Sequence, residues 1–179
     1  ALGYPPNRKY EREGGPRLAE IADLLRQVSI RPGVDLRALL RWVIYTFLIG
    51  FGAGHGKQLA LLHESCGPCL APFYGLWSTH VYGEMNYRMG FRIGHEDRPD
   101  WLTPQRWHEF ASTLGVRPDY IIAELRRAAE SLPQAAAELA DEFQRKNGHA
   151  DVIRSIRALI EQRARQILVA LEAEPIRVV

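Results

Sequence analysis

Apolar residues recur at helical spacing over much of the chain. Leu18, Ile21, Leu24 and Leu25 predict an amphipathic helix over about 17–28. Pro32-Gly33 reads as a turn, with Asp35 as the N-cap of the next helix. From Leu36 to Gly50, nearly every position after Arg41 is apolar, including Trp42, Val43, Ile44, Phe47 and Leu48. A helix apolar on all sides is buried on most of them, so 36–49 is the expected central core helix. Two short apolar runs, 59–63 and 69–73, flank the turn residues around Gly67-Pro68 and predict a β-hairpin. Residues 75–100 show no period.

Thr103-Pro104 opens a helix that Gly115 closes. Pro118 opens another, reaching about Glu130. Ser131 and Gln134 match a capping box, which predicts a separate helix from there to about Lys146, broken by Asn147-Gly148. Ile153, Ile156, Leu159, Ile160, Ile167, Leu168 and Leu171 mark a last amphipathic helix. The reading is a mainly α chain with one small β-hairpin. Residues 1–16, rich in Gly, Pro and charge, form an N-terminal arm to a single domain over 17–179.

The 179 residues are 46% hydrophobic and 25% charged, which excludes disorder for most of the chain. A net charge of +2 gives no basic patch of the kind nucleic-acid binders carry, so no direct nucleic-acid contact is expected. The longest apolar run, Trp42 to Ala53, falls short of the roughly 18 residues of a membrane span. The first residue is Ala rather than Met, and no signal peptide follows it. Two cysteines make no disulfide framework, and the expected location is cytoplasmic.

Candidate chemistry centres on Gly50-Phe51-Gly52-Ala53-Gly54-His55-Gly56-Lys57-Gln58, with four glycines in seven residues. It is not a Walker loop, because Phe51 holds the upstream Gly position and Gln58 the Ser/Thr position. Cys66-Gly67-Pro68-Cys69 spells a thioredoxin-like dithiol but lacks the βαβ context of that chemistry. His63, Cys66, Cys69 and His80 could supply four zinc ligands by residue type alone, but no metal site is expected. The cysteines are expected to be ordinary thiols at a hairpin tip.

Leu48-Ile49-Gly50, Gly54-His55-Gly56-Lys57-Gln58 and Leu70-Ala71-Pro72-Phe73-Tyr74-Gly75 together resemble HipA-family serine/threonine kinases, the toxins of a type II toxin–antitoxin system. Lys9-Tyr10-Glu11, Gly14-Gly15-Pro16, Trp101, Trp107 and Leu114-Gly115 extend the resemblance over nearly the whole chain, to that family's helical C-terminal lobe. It implies a kinase C-lobe-like fold, with ATP and magnesium as the family's cofactors. The family's loop reads Asp-x-His-x-Lys-Asn and its hairpin ends in Pro-x-Tyr-Asp. The resemblance makes the first Asp the group that orients or deprotonates the substrate hydroxyl, and the Asn and last Asp the magnesium ligands. Here those positions hold Ala53, Gln58 and Gly75.

The expectation is therefore a pseudokinase lobe with no catalytic residue retained and no cofactor. The old loop would run through Gly52, Ala53, Gly54, His55, Gly56, Lys57 and Gln58, facing Gly75. Such a lobe would act by binding a Xre-type helix-turn-helix antitoxin or another copy of itself. The alternatives are a lobe completed by a separately encoded N-terminal partner, or an enzyme using His55, Lys57, Cys66 and Cys69 for different chemistry. Residues 1–16 cannot build a nucleotide-covering lobe, so if the sequence is complete, half a kinase site is missing.

Overall fold

The computed structural model describes residues 1–83 and 87–173. The last six residues of the expected domain, and three of its irregular middle, lie outside the described residues.

Five helices carry the fold: α1 (Leu18–Val28), α2 (Pro32–Ile49), α3 (Pro104–Thr113), α4 (Pro118–Asn147) and α5 (Asp151–Ala173). Between α2 and α3 lies an antiparallel hairpin, β1 (Leu61–Glu64) and β2 (Gly67–Leu70), pairing Leu61 with Leu70 and Glu64 with Gly67. The mainly helical class with one hairpin is as the sequence predicts. α2 is the central element. Leu39, Leu40, Val43, Ile44, Phe47 and Leu48 are buried against α1, α4 and α5. After its first turn, its exposed positions form a stripe at Val34, Arg37, Arg41 and Tyr45, spaced at the three to four residues of one helix face. The Phe47 ring sits edge-on to Trp107 of α3 at 5.5 Å, joining α3 to the same core.

Three local expectations need correction. α2 begins at Pro32, because proline at the first helical position needs no amide partner and presets φ. Pro32-Gly33 is thus its first turn, and Asp35 lies inside the helix. Asp35 is buried and accepts from Ser29 Oγ and from the Leu70 amide, both at 2.7 Å, so it ties the α1–α2 corner to β2. The second correction is α4, which runs unbroken for 30 residues through Pro133. No helix starts at Ser131: its hydroxyl donates back to the Arg127 carbonyl at 2.9 Å. Packing against α5 along its length outweighs the one backbone bond that Pro133 removes. Third, the hairpin turns at Ser65-Cys66, leaving Gly67-Pro68 as the start of β2.

Candidate functional site

The glycine loop leaves the buried C-terminus of α2. Gly50 ends the helix in the left-handed region, at φ 71°, and the Phe51 amide bonds back to the Thr46 carbonyl. The loop is then fixed from the far side by Thr79 and His80. Thr79 Oγ1 donates to the Gly50 carbonyl at 3.2 Å and accepts the Gly52 amide at 2.8 Å. The His80 amide donates to the same Gly50 carbonyl at 3.0 Å. A Cβ on Gly52 would fall 2.4 Å from His80 Nε2, so a larger residue there would displace the imidazole.

The N-terminal segment closes the other side. The Gly56 amide donates to the Lys9 carbonyl at 3.1 Å, and the Tyr10 ring meets the His55 ring edge-on at 4.8 Å. The Arg12 guanidinium lies over the Tyr10 ring, 4.5 Å from its centroid. His55 is buried, and its Nδ1 has no hydrogen-bond partner among the described residues. Burial, with Lys9 and Lys57 nearby, lowers its pKa, so it is neutral at pH 7.

The remaining predicted positions differ in exposure. Gly54 is buried, Ala53 is half-buried, and the Ala53 carbonyl accepts the His55 amide at 2.9 Å. Lys57 is exposed, and its carbonyl accepts Tyr74 Oη–H at 3.3 Å. That bond brings the segment after β2 onto the loop. A Cβ on Gly75 would lie 3.6 Å from Gln58 Oε1, so positions 58 and 75 face one another. No carboxylate occurs in residues 50–58, nor at 75.

His63, Cys66, Cys69 and His80 form no common cluster. Cys69 is buried inside β2 rather than at a hairpin tip, while Cys66 occupies the exposed turn. Both are free thiols. Both thiols lie against Glu64, at 3.9 Å for Cys66 and 3.5 Å for Cys69. Burial and that carboxylate raise the Cys69 pKa, the opposite of a reactive thiolate. Among the described residues, no group of three or more His, Cys, Asp or Glu is placed to hold a metal ion.

Sequence reasoning missed the groups that stiffen the loop from below. Arg163 of α5 is buried. It donates to the Phe47 carbonyl and contacts His80 Nδ1 at 2.7 Å through Nη2. Burial and this guanidinium push the His80 pKa down to about 4. One sequence signal was present: Arg163 stands between Ile160 and Ile167 on the apolar stripe of α5, where a solvated arginine has no place.

Comparison with known proteins places this arrangement. A family model described as "HipA-like C-terminal domain" matches residues 1–167. "Putative kinase Y4mE" of Sinorhizobium fredii is 34% identical over 142 residues, covering 79% of this chain and 34% of that protein. "Serine/threonine-protein kinase toxin HipA" of Shewanella oneidensis is 27% identical over 150 residues, covering 78% of this chain and 34% of that protein. The chain therefore spans about a third of the length of either relative. A solved complex of Shewanella oneidensis HipA with HipB and operator DNA contains the same fold, with a TM-score of 0.87 at 22% identity. The match covers 97% of this chain and 43% of that one. Among the described residues, no helix is long and apolar enough to cross a membrane.

Proposed function

The chain belongs to the HipA-like C-terminal domain family, and from that premise we propose that it is a kinase-fold lobe that transfers no phosphate and acts by binding protein in a toxin–antitoxin setting. The observation that carries this reading is the chemistry at Ala53, Gln58 and Gly75. The loop keeps the family's spacing, and Gln58 faces Gly75 as two metal-ligand positions would. A methyl group at 53 accepts no proton. Gly75 has no side-chain oxygen, and the Gln58 amide is neutral. Magnesium on ATP is held through carboxylates, phosphates and water in near-octahedral geometry, and this donor set does not fit it. The partner classes that suit such a lobe are a helix-turn-helix antitoxin, as HipB accompanies HipA in the solved complex, or a second copy of the chain.

A second reading starts from the kinase relatives, of each of which this chain covers 34%. It is a lobe whose nucleotide site is completed by a HipA-type N-terminal lobe. One experiment separates the two: phosphorylation assayed for the chain, and for an Ala53→Asp, Gln58→Asn, Gly75→Asp variant, each alone and with such a lobe added in trans. The proposal expects the wild-type sequence to be inactive in both settings and to show no low-micromolar Mg·ATP binding by calorimetry. The triple variant should also be inactive alone, because positioning and charge stabilisation need both walls of the cleft. Phosphorylation by the wild-type sequence with the added lobe would overturn the proposal in favour of the second reading. Activity of the triple variant alone would show that residues 1–179 already hold a nucleotide site.

A further inference from the structure

Away from the glycine loop, α2 and α4 leave a groove of about 610 Å³ between them, walled on one side by the segment after β2. Its floor and wall are apolar and aromatic: Trp42 and Tyr45 from α2, Phe73 and Leu76 from the post-hairpin segment, Ala128 from α4. Tyr45 is 39% exposed. The Trp42 and Phe73 rings lie 5.9 Å apart, tilted by 30° to one another. Trp42 is buried, and its indole N–H has no acceptor among the described residues, although a buried tryptophan N–H normally finds one.

The rim is charged, and its charge is unbalanced. Arg41 Nε and Nη2 donate to the two oxygens of Glu124, at 2.9 and 3.3 Å, and Arg127 pairs with the same carboxylate. Glu124 is nearly buried, while both guanidinium groups stay more than half exposed. Two cations on one anion leave a surplus positive charge beside an apolar trough. The carboxylate also fixes both forks in place, so an incoming anion meets donors whose side-chain entropy is already spent.

We propose that this groove seats a helical segment of a partner protein that presents two apolar side chains at i and i+4 with a carboxylate beside them. The apolar side chains would fill the trough over Phe73 and Tyr45, and the carboxylate would bridge Arg41 and Arg127, bringing the rim to neutrality. This is the helix-in-groove mode, with sign set by the rim. A nucleic-acid backbone fits less well, since it rewards many cations and has no use for an apolar floor. The inference stands on the groove and does not depend on whether the glycine loop transfers phosphate.

The test is fluorescence anisotropy with the full chain and a fluorescein-labelled helical peptide of about three turns. The peptide carries Leu and Phe at i and i+4 and a flanking Glu, and is compared with versions bearing Gln or Lys in place of Glu. The Glu peptide should bind saturably, the Gln peptide about tenfold more weakly, and the Lys peptide more weakly still. Arg127→Gln should erase the preference of Glu over Gln. Ser131→Trp, at an exposed position of the rim, should block both peptides while the chain melts at its ordinary temperature. Absence of saturable binding by the Glu peptide overturns the proposal, as does equal affinity for the Lys peptide. So does concentration-dependent self-association that Ser131→Trp abolishes, which would assign the groove to a second copy.

Discussion

Gly90 gives the sharpest test of how the glycine loop is held. It is buried, its carbonyl accepts the Glu11 amide, and its Cα faces the loop directly. A Cβ placed there would lie 2.1 Å from the Gly54 carbonyl oxygen, 2.5 Å from its carbon and 3.0 Å from the His55 amide nitrogen. Carbon and oxygen approach comfortably only to about 3.3 Å, so Gly90→Ala forces a displacement of about 1 Å. The opposing atoms are backbone and cannot rotate aside. The cost belongs at the upper end of overpacking, about 2–3 kcal/mol. For a chain of this length each kcal/mol lowers Tm by about 2–4 °C, so the variant should melt about 4–12 °C below wild type.

Gly33 supplies the opposite sign. It lies in the first turn of α2 with nothing within 4 Å of a built Cβ. Gly33→Ala should therefore raise stability by about 0.5–1 kcal/mol through helix propensity and a less free unfolded chain. Thermal unfolding followed by circular dichroism reads both. If Gly90→Ala melts within about a degree of wild type, the loop does not rest on residue 90 and the account of its rigidity fails.

Further outcomes follow from the same packing. His80 is held neutral with a pKa near 4, well below its ordinary value of 6.5, so the unfolded chain binds more protons in between. Stability present above pH 6.5 should fall as the pH drops toward 4. Partial solvent contact of the ring limits this to about 1–2 kcal/mol. Urea midpoints should flatten over that range in His80→Gln, and an unchanged slope would show that another group titrates. Ile44 and Tyr45 are neighbours with opposite fates: Ile44→Asp buries an unpaired charge and should cost more than about 3 kcal/mol, whereas Tyr45→Asp at the exposed stripe should cost under about 1 kcal/mol. Similar melting of the two variants would contradict the orientation of α2.

The elements legible in the sequence are those whose environment is uniform along their length. α2 declares itself because nearly all its positions after Arg41 face protein, and α3 because Thr103-Pro104 and Gly115 mark its ends. Misreadings arise where local chemistry competes with long-range packing. Ser131 and Gln134 have the right types for a capping box, yet α5 holds α4 helical across Pro133. Asp35 has an N-cap's chemistry but spends it on Ser29 and the Leu70 amide, a contact spanning 35 positions that no local pattern encodes. The segment after the hairpin shows no period, and yet it contributes buried Thr79, Met89, Phe91 and Ile93 and braces the loop. The loop itself was legible by its glycines and its family spacing. Its supports at Tyr10, Thr79 and Arg163 were not, because each comes from a different element.

One of those supports has a consequence for how this chain can drift over generations. A Cβ on Gly50 would meet Leu159 Cδ2 at 2.5 Å, His80 Cβ at 3.1 Å and Arg163 Nη1 at 3.4 Å. Three distant stretches of sequence thus share one small volume at the root of the loop. A lineage that enlarges residue 50 must shrink residue 159 or lose the guanidinium, and one that loses the guanidinium strands the His80 imidazole. Positions 50, 80, 159 and 163 should therefore change in concert across descendants, with single-step intermediates rare, while Tyr45 and Ser131 on the open face vary independently of them.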